Sequence, residues 1–296
     1  MSRIYIEDVK DLIKKAGDVR QTLAMACFRN PGIHIGGPFS AVDVATAVYF
    51  KHLDYDPDKL DDPNRNIFIL SKGHNGILFY SIYVNMGVYK PEDLFNGYNN
   101  YNGPFGPHPN HHTVKGIEVS TGSLGHGINW AVGFSQARQD MGIKARTFVL
   151  LGDGEMEEGS NWEGILYAAS KHMDDIVALV DFNHASASFY TNENMRWGDK
   201  GGPEGMADCY RAFGWNAVVI DGTDMAAIDK TLSELPEVTY KGKPTAIICS
   251  TTKGQGVQFM MDRPTAWHMG GFDDVTLKQA QEEIAEYTAR KLSEVK

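Results

Sequence analysis

An aspartate between two glycines and an asparagine further along the chain have the types and spacing for metal chemistry. Asp153 lies between Gly152 and Gly154 after a short apolar run, and Asn183 follows another such run. A carboxylate, an amide oxygen and nearby carbonyls are hard oxygen donors, which suit Mg²⁺ or Ca²⁺ rather than zinc. Glycine lets an anionic ligand approach the backbone closely. The pattern predicts a diphosphate held through a divalent metal.

A simpler interpretation of the glycine-flanked aspartate is a strand-to-helix turn in which the carboxylate only caps the next helix. The 28 residues between Gly154 and Asn183 are enough for a crossover helix, predicted at 161–172. In a parallel sheet, Asp153 and Asn183 would then lie at the carboxyl ends of neighbouring strands, where α/β proteins bind ligands. The asparagine at the second strand end favours the metal site.

Short apolar runs separated by helix-like stretches indicate what positions these residues. The runs are rich in Val, Ile and Leu and lie at 67–70, 147–151, 176–182, 217–220 and 245–249. They are typical of the α/β class, with a parallel sheet buried on both faces by helices. Apolar spacing predicts helices at 3–28 and 276–296. Ser40, followed three residues later by Asp43, predicts an N-cap before a buried helix at 41–50.

The segment 98–127, rich in glycine, proline and histidine, interrupts the regular pattern. A loop this long in a compact domain is usually functional or disordered. It leads into an apolar helix predicted at 128–137, which favours an ordered loop that presents its backbone to a ligand. We also expect 98–127 and 186–202 to be too polar to pack against their own domain, so that ordering them requires contacts from elsewhere.

The composition is that of an ordinary globular protein, and we expect one domain spanning 1–296, with 42% hydrophobic and 22% charged residues. The formal net charge of −10 is a poor match for nucleic acid or an anionic membrane. No apolar run approaches the ~18 to 20 residues of a membrane span, and the first ten residues lack the apolar core of a signal peptide. Cys27, Cys209 and Cys249 form neither a disulfide framework nor a zinc motif. We therefore expect a soluble, cytoplasmic protein.

Six motifs follow one another along nearly the whole chain. They are HIGGPFSAVD at 34–43, SKGH at 71–74, PHP at 107–109, TGSLGHG at 121–127, GDGEMEEG at 152–159 followed by Asn183, and KGQGV at 253–257 followed by WH at 267–268. In type and order they resemble the motifs of the amino-terminal domain of transketolase, where the counterparts of the first four are HPGGSLSAVD, SAGH, GHP and TGPLGQG. The fifth resembles the family's thiamine-diphosphate motif.

The resemblance implies a thiamine-diphosphate-binding fold, thiamine diphosphate as cofactor, and Mg²⁺ (or Ca²⁺ or Mn²⁺) as metal. It implies as metal ligands the side chains of Asp153 and Asn183 and the carbonyl of Ala185. It implies cofactor contacts from Asn183 and from five further residues: His74, Gly154 and His268 at the diphosphate, and Gly122 and Leu124 at the aminopyrimidine ring.

The resemblance also implies four catalytic residues. His34, His108 and His268 line the substrate channel, and Glu158 belongs to an acidic relay between the two active sites of a dimer. Cleavage of a ketose needs proton transfers near neutral pH, where imidazole titrates. His111 and His112 are close enough to compete with His108; we assign the role to His108 because a proline follows it, as in the family.

The sequence departs from the family at three positions and in length. Ile35 replaces a proline, His126 replaces a glutamine, and the segment 185–190 lacks the usual Asp-Gly turn, which puts the cofactor contacts there in doubt. These changes suggest a non-standard ketose donor that carries phosphate or a related anion such as sulfonate. The family's next domain, which supplies the pyrimidine-site glutamate, an aromatic platform and sugar-binding arginines, has no counterpart here.

The resemblance therefore predicts one subunit of a split transketolase that transfers a two-carbon ketol unit from a ketose to an aldose. Its expected partner is a second chain carrying the pyrimidine-binding domain, in a pair of heterodimers. One alternative is a subunit of another thiamine enzyme, similar to deoxyxylulose-phosphate synthase or to an oxo-acid dehydrogenase alpha subunit. Another is a non-catalytic assembly subunit. The histidines favour transketolase, and the intact Asp153, Asn183 and His74 argue against loss of catalysis.

Overall fold

A five-stranded parallel sheet lies at the centre of the computed structural model, which describes residues 4–295. The strands, including four short ones outside this sheet, are β1 (Ile33–His34), β2 (Ile67–Leu70), β3 (Thr147–Gly152), β4 (Ile176–Phe182), β5 (Ala185–Ser186), β6 (Phe189–Tyr190), β7 (Asn216–Asp221), β8 (Thr245–Ser250) and β9 (Met269–Gly270). The order in the main sheet is β2-β3-β4-β8-β7. Every predicted strand is confirmed to within one residue at each end, and so is the α/β class.

Helices connect and cover these strands. They are α1 (Val9–Arg29), α2 (Gly36–Ser40), α3 (Val42–Ala47), α4 (Gly76–Asn85), α5 (Pro91–Gly97), α6 (Gly127–Met141), α7 (Gly159–Ser170), α8 (Thr191–Asn194), α9 (Gly202–Ala212), α10 (Met225–Ser233), α11 (Gln258–Met261) and α12 (Asp274–Glu294). A π-helical turn, Val48–His52, follows α3. Within residues 4–295, no helix has both the length and the apolar character needed to cross a membrane.

The sheet is covered on both faces, as the apolar runs predict. Phe148 and Leu150 of β3 belong to one apolar cluster with residues of α1, α3, α4, α10 and α12. Their neighbours Val149 and Leu151 belong to a second cluster with residues of α6, α7 and α9. Successive side chains of a strand point to opposite faces, so β3 is apolar throughout because it is buried on both sides.

The last helix begins two residues before its predicted start, whereas α1 begins only at Val9 and residues 4–8, predicted as helix, are not helical. In α1 the Asp8 side chain accepts hydrogen bonds from the backbone of Lys10 and Asp11, which caps the helix start. Asp273 and Thr276 form a capping box at the start of α12. The predicted first helix included Arg3 and the last included Lys296, which lie outside the described residues. The crossover helix α7 begins two residues before its predicted start.

The buried helix predicted at 41–50 forms, as α3 and the π-helical turn that follows it, but the prediction that Ser40 caps it is wrong. Ser40 is the last residue of α2, and its hydroxyl donates to Asp181 Oδ2 at 2.6 Å instead of capping α3. Asp43 forms a buried ion pair with Arg20, with 2.6 Å between Arg20 Nη2 and Asp43 Oδ2. The Ser40 hydroxyl and the Asp43 carboxylate are both buried. Each bonds to a charged side chain from elsewhere in the fold, which is a stronger interaction than a hydrogen bond to the helix terminus.

The expectation that the long segments cannot pack against their own domain is also wrong for 98–127. This segment buries Tyr98, Phe105, Val114 and Ile117 in the larger apolar cluster. These apolar residues are few, but they anchor the loop at intervals along its length. The segment 186–202 is anchored less, chiefly by Trp197 and Thr191, while Phe189, Tyr190 and Met195 remain exposed.

Candidate functional site

The predicted metal ligands lie where β3 and β4 end side by side. Gly152 pairs with Asp181 in the last register position, so the residues that follow the two strands project from the same edge. Asp153 is 1% exposed, and its Oδ2 accepts a hydrogen bond from Thr191 Oγ1 at 2.6 Å. Burial raises the pKa of Asp153 to about 7. The Asn183 amide oxygen accepts from the Ala185 backbone at 3.2 Å.

This donor set fits a hard cation that is completed by a ligand. Among residues 4–295 no group of three or more His, Cys, Asp or Glu side chains is arranged to hold a metal. One carboxylate, one amide oxygen and one carbonyl leave room for the oxygens of a bound phosphate and water in a six-coordinate shell. Burial disfavours the charged form of the Asp153 carboxyl group, and a divalent cation beside it would favour that form.

A cavity of about 290 Å³ lies at this edge and brings together all but one of the predicted site residues. Its lining includes His34, His74, His108, Gly122, Leu124, Asp153, Gly154, Asn183, Ala185 and His268. The exception is Glu158, which is exposed at the start of α7 and does not line the cavity. His111 and His112 also lie outside it, so that of the three histidines of this segment His108 is the one that lines the cavity.

Four histidines surround the cavity at contact distance. The His34 ring centroid lies 5.1 Å from that of His74, 6.3 Å from that of His108 and 5.0 Å from that of His268. Burial lowers the pKa of each of these histidines, that of His268 to about 4. At neutral pH the imidazoles are therefore uncharged, and each can donate one hydrogen bond and accept another.

Two glycines of the cavity wall lie so close to neighbouring side chains that a Cβ atom would not fit. Gly122 has φ +151°, and a Cβ on it would lie 3.0 Å from the ring of His108. A Cβ on Gly154 would lie 2.7 Å from Ser186 Oγ. Any larger residue would push His108 or the β5 strand away from the cavity, which explains why glycine occupies both positions.

Several charged residues of the wall have no role predicted from the sequence. Lys72 and Lys253 line the cavity, and so does Glu155. Lys72 Nζ lies 2.5 Å from Oδ2 of the buried Asp181. The signal that could have revealed Lys72 is its presence in SKGH, where the resembling family has alanine.

Glu155 joins the two glycine-rich segments at the cavity. Its carboxylate accepts hydrogen bonds from Ser71 Oγ and from the backbone nitrogens of Gly125 and Gly152, at 2.5, 3.0 and 3.1 Å. A buried carboxylate with three donors is well satisfied, so it fixes these loops relative to β3.

The family described as transketolase, thiamine diphosphate binding domain, matches residues 15–284. One of the subunits of the apulose-4-phosphate transketolase of Actinobacillus succinogenes is 35% identical over 259 residues, which cover 87% of this chain and 90% of that protein. A 6-deoxy-6-sulfo-D-fructose transketolase subunit of a Clostridium species is 33% identical, over 76% of this chain and 79% of that protein.

The fold of this chain also matches part of the longer chains of solved transketolase structures. A transketolase variant from Pichia stipitis, in complex with fructose-6-phosphate, superposes with a TM-score of 0.80 at 25% identity. The match covers 97% of this chain but 45% of that one. The transketolase of Campylobacter jejuni, at 23% identity and a TM-score of 0.79, has the same fold over 45% of its length.

Proposed function

This chain belongs to the transketolase family and corresponds to the family's thiamine-diphosphate-binding domain. We propose that it is the cofactor-binding subunit of a two-chain transketolase. The observation that carries the proposal is the cavity in which Asp153, Asn183 and four histidines meet. The chain spans about half the length of the solved transketolases but nearly all of a relative named as a subunit. A second chain would therefore supply the remaining half of the active site.

We assign the metal, Mg²⁺ or another divalent ion of similar chemistry, to Asp153, Asn183 and the carbonyl of Ala185. The diphosphate would contact His74, Gly154 and His268, with the aminopyrimidine ring near Gly122 and Leu124. All eight residues line one cavity, which supports the assignment. When bound, thiamine diphosphate supplies the electron sink for breaking the bond next to the ketose carbonyl.

The chain's own contribution to the reaction is orientation and proton transfer. We propose that His34, His108 and His268 bind the sugar hydroxyls and carbonyl oxygen in the channel. Their lowered pKa values keep the imidazoles neutral at pH 7, so each can give a proton at one nitrogen and take one at the other.

The exposed Glu158 suits a different role. It lies outside the cavity at the start of α7, next to Gly125, where a Cβ would lie 2.7 Å from Glu158 Cβ. We propose that it faces a neighbouring subunit in a pair of heterodimers, as part of an acidic connection between two active sites. The exposed position supports this because a carboxylate at an interface is exposed in the isolated chain.

The proposal can be tested by measuring which donor substrates the enzyme accepts. We expect the complex of this chain and its partner to transfer a two-carbon unit from a ketose carrying phosphate or sulfonate to an aldose. Ketoses of both kinds and a 2-oxo acid should be compared as donors, with aldose product measured by mass spectrometry. If the complex accepted the 2-oxo acid as donor but neither ketose, the proposal would be contradicted, and an enzyme of the oxo-acid dehydrogenase type would be favoured.

Replacing His34 or His108 by alanine is expected to lower kcat/KM by ~10² to 10⁴, while thiamine diphosphate affinity stays nearly unchanged. The reason is that both imidazoles are assigned to the substrate and not to the diphosphate. Steady-state kinetics and calorimetric titration of the cofactor measure the two effects separately.

The matched control for these variants is His112→Ala, since His112 is exposed and does not line the cavity. We expect wild-type kinetics from it. If His34→Ala or His108→Ala instead lost cofactor affinity and turned over normally at saturating cofactor, the assignment to the substrate channel would be wrong.

A further inference from the structure

The carboxylate of Asp181 is buried next to the assigned metal ligands and accepts hydrogen bonds from four segments of the chain. Asp181 lies near the carboxyl end of β4 and does not line the cavity. Its Oδ2 accepts from Ser40 Oγ at 2.6 Å and from Asn183 Nδ2 at 3.2 Å, and it lies 2.5 Å from Lys72 Nζ. Its Oδ1 accepts from Thr251 Oγ1. The chain's own donors thus occupy this carboxylate, so we do not assign it to the metal.

The pleat of β4 brings the side chains of Asp181 and Asn183 together. Successive side chains of a strand alternate between the two faces, so residues two apart lie on the same side. Phe182, between them, belongs to the apolar cluster formed with α6, α7 and α9, whereas Leu179, two residues before Asp181, belongs to the cluster on the other face. The strand therefore places a hydrogen-bond acceptor directly beside the Asn183 amide.

The orientation of the Asn183 amide is fixed from both of its ends. An asparagine can bind a cation through its amide oxygen but not through its amide nitrogen. Here Nδ2 donates to Asp181 Oδ2 and to Ser40 Oγ, at 3.2 and 3.1 Å, while Oδ1 accepts from the Ala185 N–H at 3.2 Å. Turning the amide over would place its oxygen against the Asp181 carboxylate and its nitrogen against the Ala185 N–H. Because both new contacts would be repulsive, the amide keeps one orientation.

Lys72 balances the negative charge of Asp181. A buried carboxylate without a counter-charge is costly, and it would repel an anionic ligand in the adjoining cavity. The Lys72 ammonium and the Asp181 carboxylate form a buried ion pair that is neutral as a whole. The lysine stem passes close to Gly152, where a Cβ would lie 3.3 Å from Lys72 Cδ. The pair therefore supplies an acceptor to Asn183 without adding net charge to the site.

We propose that Asp181 is a positioning residue of the metal site, which accepts the Asn183 Nδ2–H and thereby holds the Asn183 amide oxygen in place for the cation. Lys72 neutralises Asp181 in this role. Asp181 itself touches neither the metal nor the sugar. This inference rests on the proposed function, since it presumes a divalent cation bound by Asn183.

The test compares two double variants in the complex of the two chains. Lys72→Met with Asp181→Asn removes both charges but keeps an oxygen that can accept from Asn183, whereas Lys72→Met with Asp181→Leu removes the acceptor as well. Metal affinity is the Mg²⁺ concentration at which thiamine diphosphate is half bound, measured by calorimetry. We expect it to weaken about 10- to 100-fold in the leucine variant, the usual effect of losing a group that orients a metal ligand, and to stay within about threefold of wild type in the asparagine variant.

Two further measurements separate positioning from a general effect on the fold. At saturating Mg²⁺ the leucine variant should bind as much cofactor per complex as wild type, because apolar side chains often replace a buried ion pair without loss of stability. Ser40→Ala removes the other acceptor of Asn183 Nδ2 and should weaken metal affinity about 3- to 10-fold, the effect of one hydrogen bond. Its matched control is Ser81→Ala: Ser81 is also buried, but it bonds to the Ile77 carbonyl within α4, so wild-type affinity is expected.

Four outcomes would overturn the inference. Equal metal affinity in the two double variants would refute the role of Asp181 as an acceptor and leave the proposed function standing. Loss of cofactor binding that excess Mg²⁺ did not restore in the leucine variant would make Asp181 a support of the fold instead. If that variant did not fold, wild-type metal affinity in Ser40→Ala would refute the inference. If the wild-type complex bound no thiamine diphosphate, the inference and the proposed function would both be wrong.

Discussion

Asp153→Asn is expected to lower metal-dependent affinity for thiamine diphosphate by at least ~10²-fold while leaving the fold intact. Asp153 is the only carboxylate assigned to the metal, and Mg²⁺ is bound weakly without one. The asparagine keeps the shape of the side chain and can still accept the hydrogen bond from Thr191. Calorimetric titration of the two-chain complex with cofactor and Mg²⁺ measures the loss.

The fold should survive because burial already disfavours the charged form of Asp153, whose pKa is raised to about 7. Replacing it by a neutral amide removes a desolvation cost, so the ligand-free Tm should not fall. Asp175→Asn is the matched control: Asp175 is also fully buried, but it lies outside the cavity and bonds to Ser135. Wild-type affinity in Asp153→Asn would refute the metal assignment.

The second large effect is expected from removing the partner: this chain alone should show no ketol transfer, a loss of at least ~10³-fold. The groups that complete the pyrimidine site and bind the sugar's anion are expected on another chain, and the loss of several positioned groups exceeds that of one. The assay uses each chain alone and the two together, with thiamine diphosphate and Mg²⁺. Turnover by this chain alone would contradict the split-subunit function.

Hydrogen exchange should show where the partner contacts the chain. The segment 98–127 is expected to be protected in the isolated chain, because Phe105 and Val114 anchor it in the core. The hairpin of β5 and β6 lies beside the cavity with Phe189 and Tyr190 exposed, so it should gain protection when the partner binds. Equal protection of this hairpin with and without the partner would exclude it from the interface.

The five strands and the meeting of Asp153 with Asn183 could be predicted from the sequence. A strand buried on both faces must be apolar along its whole length, and such runs are visible without a structure. Parallel order then forces the residues after β3 and β4 to the same edge, whatever the helices do. The four histidines are far apart in the sequence, and only their resemblance to family motifs predicts that they belong to one site. The structure places all four in the wall of the same cavity.

Other features depend on contacts between residues far apart in the chain. Ser40 has the sequence context of a helix cap, but folding places Asp181 within reach of its hydroxyl. Lys72 and Lys253 look alike in sequence, and only the tertiary structure gives one a carboxylate partner and leaves the other facing the cavity. A local pattern determines which elements form, because propensity and periodicity act over a few residues. The charge state and partner of a buried polar group are decided by whichever distant side chain the fold brings beside it, since desolvation makes that contact outweigh any local preference.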